Sequence, residues 1–287
     1  IIILMAVVFT SCEDPIQIKL DEGSKLVVID AFVNDLRQNQ VIRVTQNDSY
    51  FSGKNAPPIT NAQVVLEDLT QAAAYTFTYS NGSYIYPIGV NDTIAKLNHR
   101  YKLRVTVNGV EYTSTTIVKR TAVIDSIQSI FNDGNSGFGD PNPFYLAYLW
   151  AKDKVDYSPD YYWVKTYRND TLFGEAGELN LAIDGTNGTI SPEEANNLDS
   201  LTFTPPSTFL GFNQFKKFDK VKVEIHSIAK ETYFFLTQAA AQIQNGGLFA
   251  TTPENVKTNI VTPAGQTVKG VGWFNMAKVE RKERIIY

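Results

Sequence analysis

The chain has 287 residues, 43% of them hydrophobic and 12% aromatic, with a net charge of −4 and an isoelectric point near 5.3. That apolar fraction supports a packed core and excludes a disordered chain, and the acidic balance leaves no electrostatic footprint for nucleic acid. Two histidines and one cysteine leave little material for His-dependent or thiol chemistry.

The first element is IIILMAVVF (1–9), an uncharged apolar run. It is shorter than the ~20 residues a membrane-spanning helix needs. It fits the roughly 7–15 residues of a signal-peptide hydrophobic region. No initiator Met or basic segment precedes it, so residues 1–11 read as the remnant of a signal peptide entered part-way. Thr10 and Ser11 lead directly to Cys12. Apolar run, small pair, cysteine is the pattern of a bacterial lipobox, although Phe9 stands where Leu is preferred. The competing reading, a buried free thiol after an N-terminal strand, lacks support because the run shows no polar alternation. Cys12 is therefore expected to carry lipid, and its acyl chains exceed the two signals that stable anchoring takes. Glu13 and Asp14 follow at once. They resemble the acidic export signal that sends Bacteroidota lipoproteins to the outer face of the outer membrane. Residues 12–24 then form the lipidated N-terminus and a tether.

From residue 25 the chain alternates or turns β-branched in short runs: KLVVIDAFV (25–33), QVIRVTQ (40–46), AQVVLED (62–68), AYTFTY (74–79), SYIYP (83–87), YKLRVTV (101–107) and EYTSTTIV (111–118). Turn residues separate them, and Asn108-Gly109 is the strongest hairpin signal in the chain. Seven short strands in this space predict a first domain, 25–120, of immunoglobulin-like or transthyretin-like β-sandwich form. A connector running into a strand, KRTAVIDSIQSIF (119–131), and a Gly/Asn/Pro-rich stretch (132–143) lead to further strands at 145–152 and 161–170. The region 174–206 is turn-rich and predicts long loops.

In DKVKVEIHSI (219–228) Val221, Val223 and Ile225 share one face, leaving Lys220, Lys222 and Glu224 on the other, with His226 also opposite the Val/Ile face. AKETYFFLTQAAAQIQNGG (229–247) predicts the one helix, about 229–245, with Ser227 as N-cap and Gly246-Gly247 at its end. Tyr233, Leu236, Ala240 and Ile243 recur at helical spacing, as a face packed on a sheet. One or two strands close the chain. The second domain, 121–287, is thus expected to be β-rich and sandwich-like with one inserted helix. The fold class is mainly β, two consecutive β-sandwich-like domains.

No catalytic set emerges. His226 reads as a solvated or rim histidine and His99 as unremarkable. Glu193-Glu194 and Glu175/Glu178 fall in loops, and DGTNGTISPEE (184–194) lacks the ligand spacing of a calcium loop. Asp-Ser/Thr-apolar triplets begin at Asp92, Asp125, Asp170 and Asp199 and resemble a loose O-glycosylation acceptor. No cofactor, metal or catalytic residue is expected, and the chain is expected not to be an enzyme.

The runs KLVVIDAFV, APPITNAQVVLED, YKLRVTVNGVEYTSTT and AVIDSI, then VKVEIHSIAKETYFFL, GGLFATTPENVKTNI and GVGWF, together resemble one family. It is the Bacteroidota outer-membrane lipoprotein family catalogued as domain of unknown function 4249. The resemblance covers nearly the whole mature chain and brings no catalytic residues. It implies a cell-surface accessory of a TonB-dependent transporter, stabilising that complex or capturing a glycan, peptide or other nutrient ligand. Aromatic runs at 144–150 and 161–164 offer stacking or anchoring surfaces for that role, with sandwich core the favoured reading of any single residue among them. The alternatives are a glycan or peptide hydrolase, whose carboxylates would have to converge in one cleft, and a structural or adhesive envelope module.

Overall fold

In the computed structural model the described residues are 24–48, 55–89, 93–134, 142–153, 160–174, 179–183, 201–202, 208–209, 215–245 and 254–287. The protein is mainly β, with one α-helix among these residues. The first seven strands occupy the segments that alternation marks: β1 (Leu26–Asn34), β2 (Gln40–Gln46), β3 (Gln63–Asp68), β4 (Ala73–Ser80), β5 (Ser83–Tyr86), β6 (Arg100–Val107) and β7 (Val110–Ile117). Period-two burial sets their faces: Val27, Ile29, Ala31 and Val33 of β1 are buried, and Val28, Asp30 and Phe32 are half-buried on the opposite side. Asn108 and Gly109 both take positive φ (48° and 80°), the type I′ turn their chemistry favours, and pair Val107 with Val110.

These strands do not stack as an immunoglobulin-like sandwich. A strand from near the C-terminus, β16 (Lys269–Ala277), runs parallel to β1 and makes a sheet of eight, ordered β16-β1-β2-β5-β4-β3-β6-β7. The sheet rolls until it is nearly closed around a single core that includes Ile29, Ile42, Val44, Leu66, Leu103 and Phe274. Within β16, Gly272 has φ +106° and lies against β1 so closely that a Cβ would overlap the Ile29 carbonyl.

Closure at β7 and β16 comes from a strap, residues 258–262. Val261 and Thr113 exchange backbone hydrogen bonds of 2.7 and 3.1 Å. Ile260, 6% exposed, enters the core. The Asn259 side chain imitates a strand residue: Nδ2 donates to the Phe274 carbonyl (2.8 Å) and Oδ1 accepts from the Phe274 N–H (2.9 Å). Thr258 Oγ1 donates to the Gly272 carbonyl, and Thr262 Oγ1 accepts from the Gly270 N–H, both at 2.8 Å.

The rest of the chain builds two smaller sheets. One holds β8 (Val123–Asn132) and β9 (Phe144–Asp153) with β13 (Leu201–Thr202) and β14 (Thr208–Phe209). The other holds β10 (Tyr161–Arg168), β11 (Thr171–Leu172), β12 (Asn180–Ile183), β15 (Lys220–Ile228) and β17 (Val279–Ile285). Ile124, Ile127 and Leu149 from the first meet Tyr162, Val164, Val221, Val223 and Ile225 from the second in a separate core. The expectation of two consecutive sandwiches therefore gives way to one barrel-like sheet plus smaller sheets. The physical reason is the C-terminal segment: β16 completes the barrel, and one residue later β17 pairs with β15.

The helix α1 (Lys230–Ile243) starts one residue inside the expected limit, with Ala229 as N-cap and no side-chain cap. Ser227 does not cap it; its hydroxyl donates to the Lys119 carbonyl at 2.9 Å. Gly246 and Gly247 lie outside the described residues, and the helix is closed by Gln244. Only part of the expected face is covered: Leu236 is buried and Tyr233 meets Tyr161 at 5.4 Å, but Ile243 is 58% exposed. The helix is pinned to β16 by polar contacts instead. Trp273 Nε1 donates to Thr232 Oγ1, whose hydroxyl donates to Asn275 Oδ1, both at 2.9 Å, and Phe235 stacks on Trp273 at 4.4 Å.

Candidate functional site

Three strands of the five-stranded sheet carry a row of charges on the face opposite their core. The register sets Lys165 of β10 beside Glu224 of β15, and Glu224 beside Arg281 of β17. The neighbouring row is Trp163, His226 and Val279. The barrel covers this face. Phe32 of β1 meets Trp163 edge-on at 5.5 Å, and the hairpin between β1 and β2 supplies Asp35 and Gln38. Asp35 pairs with Lys278 and accepts the Val279 N–H at 2.8 Å; Gln38 Oε1 accepts from Arg281 Nη2 at 3.4 Å. Gln40, itself buried, holds the hairpin by donating to the Leu36 and Gln38 carbonyls at 3.2 and 3.0 Å.

Glu224 is the hub, with only 4% of its side chain exposed. Its Oε1 accepts from Arg281 Nε and Nη2 at 2.8 and 2.6 Å, and its Oε2 from Tyr167 Oη at 3.1 Å and His226 Nε2 at 2.9 Å. Burial pushes this carboxyl up, but the hydrogen bond and charge of His226 and those of Arg281 outweigh it and bring the pKa down to about 2. Burial lowers His226 to about 4 against the pull of Glu224, with Lys165 adding to the lowering. At neutral pH a neutral imidazole therefore donates its Nε2 proton to an ionised carboxylate, which can only accept. Lys165 is lowered by burial, and its Nζ lies 3.9 Å from the Trp163 ring centre.

Chemically this is a closed junction. A general acid working near neutrality needs a pKa near the working pH, and Glu224 lies far below it with both oxygens engaged. The other histidine is held likewise. His99 Nδ1 lies 2.7 Å from Asp68 Oδ2, while Asp68 Oδ1 accepts from the N–H groups of Thr70 and Gln71 at 2.9 and 3.3 Å. Burial raises the buried Asp68, but His99 and these backbone donors hold it below the usual carboxylate range.

The rim reading of His226 is thus corrected. It does sit opposite the Val/Ile face, but the barrel covers that side and leaves it 6% exposed. The signal that Glu224 matters was present only as its two-residue spacing from His226 in VEIH. Of the aromatic runs, Tyr162, Phe144 and Leu149 are buried, and Trp163 lies in the junction. Among the Asp-Ser/Thr-apolar triplets, Thr171 and Leu172 are exposed next to a turn at Asn169-Asp170. In the triplet at Asp125, Ile127 is buried.

Cys12, Glu13 and Asp14 lie outside the described residues, as do Glu175, Glu178, Glu193, Glu194, Asp92 and Asp199. Among the described residues no three His, Cys, Asp or Glu side chains gather to hold a metal ion, and no helix is long and apolar enough to cross a membrane.

A family model described as Domain of unknown function (DUF4249) matches residues 13–283. The chain belongs to that family. No curated protein matches it. The DUF4249 match spans both the barrel-like sheet and the smaller sheets, so β1 and β17 are parts of one family unit.

Proposed function

We propose that this DUF4249 protein is a lipid-anchored outer-membrane protein of a Bacteroidota cell, facing the cell surface. There it acts as a non-enzymatic accessory or ligand-binding partner of a TonB-dependent transporter. The observation that carries the reading is the N-terminal sequence: an apolar run, Thr10-Ser11, Cys12, then Glu13-Asp14. The family match begins at residue 13, immediately past that cysteine, which supports a mature body starting there. The junction supports a non-catalytic role, since the Glu224 oxygens are taken up by Arg281, Tyr167 and His226. Anchoring through three acyl chains would be stable without a membrane-spanning helix.

The test is a mild-detergent pull-down of the tagged full-length protein from outer membranes, with mass spectrometry of the bound proteins and of the N-terminal peptide. A transporter in equal amount and a lipid-modified Cys12 are the expected results. An unmodified Cys12, or a protein recovered alone, would overturn the anchored or the accessory part respectively.

A further inference from the structure

The seam between β7 and β16 is joined differently from the other neighbours in the barrel-like sheet. Those are paired by backbone ladders, whereas the strap makes a single isolated bridge, Thr113 with Val261. The two-residue turn at Asn108-Gly109 fixes which backbone groups of β7 point where. Val110, Tyr112, Ser114 and Thr116 face β6, so Glu111, Thr113, Thr115 and Ile117 turn theirs toward the seam. On the other bank, Gly270, Gly272 and Phe274 meet Thr262, Thr258 and Asn259 through side chains, not through a ladder.

The slot between the banks has a defined shape. Tyr112 leans over Gly270, where a Cβ would stand 2.5 Å from the Tyr112 ring and 2.9 Å from Ile260. Glycine there keeps room for one apolar side chain, which Ile260 fills, while Val261 beside it is 62% exposed. Upstream, among the described residues, two half-buried glutamines tie the strap's approach to α1: Gln238 and Gln242 accept the N–H groups of Lys257 and Glu254, each at 3.0 Å.

We propose that this seam is a β-strand binding site, filled in the structure by the protein's own strap, and that an extended polypeptide segment of another chain takes the strap's place. An incoming strand would replace side-chain contacts with backbone ladders along both banks, the source of affinity in strand addition. The strap states the chemistry required: a β-branched apolar residue for the slot, flanked by small polar residues, as in Thr258-Asn259-Ile260-Val261-Thr262. The inference rests on the barrel geometry and is independent of the envelope reading.

The experiment uses the full-length protein in detergent and a fluorescent synthetic peptide of residues 254–264. Asn259→Ala loosens the strap with little change to the core; Ile260→Asp expels it. Anisotropy is expected to show the peptide binding either variant at least about tenfold more tightly than the parent, with no binding of a peptide bearing Asp at the slot position. In the parent, the Val261 amide should exchange hydrogen faster than the amides of β6. Equal peptide binding by parent and variants, or Val261 exchange only through global unfolding, would overturn the proposal. So would the loss of folded structure in both variants, because the strap would then be an indispensable strand.

Discussion

The barrel-like sheet and the five-stranded sheet are both built on period-two alternation, yet they treat charge differently. Inside the barrel the core is apolar, and tyrosine hydroxyls reach backbone groups, as Tyr84 does at Ile59 (2.8 Å) and Tyr112 at Val268 (3.1 Å). The five-stranded sheet has an equally apolar core on one side and a buried ionic row on the other. The difference is one of cover. The barrel's outer face is largely its surface, whereas the outer face of β10, β15 and β17 is roofed by β1 and its hairpin. A fold can thus hold its halves together through ion pairs while each half folds around hydrocarbon.

The sharpest way to break the barrel half is Gly272→Ala. A non-glycine residue at φ +106° is strained, and its Cβ would overlap the Ile29 carbonyl, which belongs to backbone and has no room to yield. The two effects together are expected to cost at least about 4 kcal/mol, at the exceptional end for one substitution. Denaturant unfolding followed by tryptophan fluorescence would show a collapsed midpoint. A loss under about 1 kcal/mol would mean that β1 and β16 separate freely.

The corresponding break in the other half is Glu224→Leu. It leaves Arg281, Tyr167 and His226 without their shared acceptor. Removing one partner of a buried pair costs about 3–5 kcal/mol, and the lower end applies because Arg281 is 38% exposed. Denaturant midpoints measured beside those of Gly272→Ala would rank the two halves. A neutral result would show that the ionic row merely fills space.

How far the sequence reveals this contrast depends on the range of the information. The hairpin at Asn108-Gly109 was legible because a type I′ turn is specified by the two residues that make it. The strands were legible from their own alternation, including KRTAVIDSIQSIF, read as a connector running into a strand, which holds β8. The rolling of the sheet was not, because it depends on β16 pairing with β1 from the opposite end of the chain. The same limit hid the junction. His226 read as a solvated or rim histidine, and the residues that turn its face inward, Phe32, Asp35 and Gln38, lie far away in sequence. The proposed lipid attachment at Cys12 and export signal at Glu13 and Asp14 rest on local motif alone and lie outside the described residues.

The junction also has a pH signature of its own. His226 is lowered from 6.5 to about 4, so as pH falls through that interval the unfolded chain takes up a proton that the folded protein refuses. Stability therefore declines between those values, by on the order of 2–3 kcal/mol. Glu224, lowered from 4.5 to about 2, contributes stability that is complete above 4.5 and lost as pH falls through its folded value. The charged groups surrounding the imidazole are Glu224, Lys165 and Asp35. His226→Gln keeps a donor for Glu224 but cannot titrate. Its unfolding free energy should be flatter than the parent's between pH 6.5 and 4 and should still fall below that. Parallel curves for the two proteins would assign the upper slope to another group.

The smallest effect is expected where the same chemistry is exposed. Arg43 and Asp30 pair across β1 and β2 at 3.2 Å, but their side chains are 63% and 47% exposed. Water and salt screen such a pair, and ordering two flexible side chains offsets what attraction remains, so Arg43→Ala should cost less than about 1 kcal/mol. The effect should shrink further in high salt, where charges at the surface are screened over a few ångströms. Asp30 gives this measurement its point, because it lies on the outer face of β1 beside Phe32 and its charge is felt by Lys165 of the junction. If Arg43→Ala instead costs as much as Glu224→Leu and resists salt, Asp30 belongs electrically to the buried row. The boundary between the two regions would then pass through β2 rather than β1.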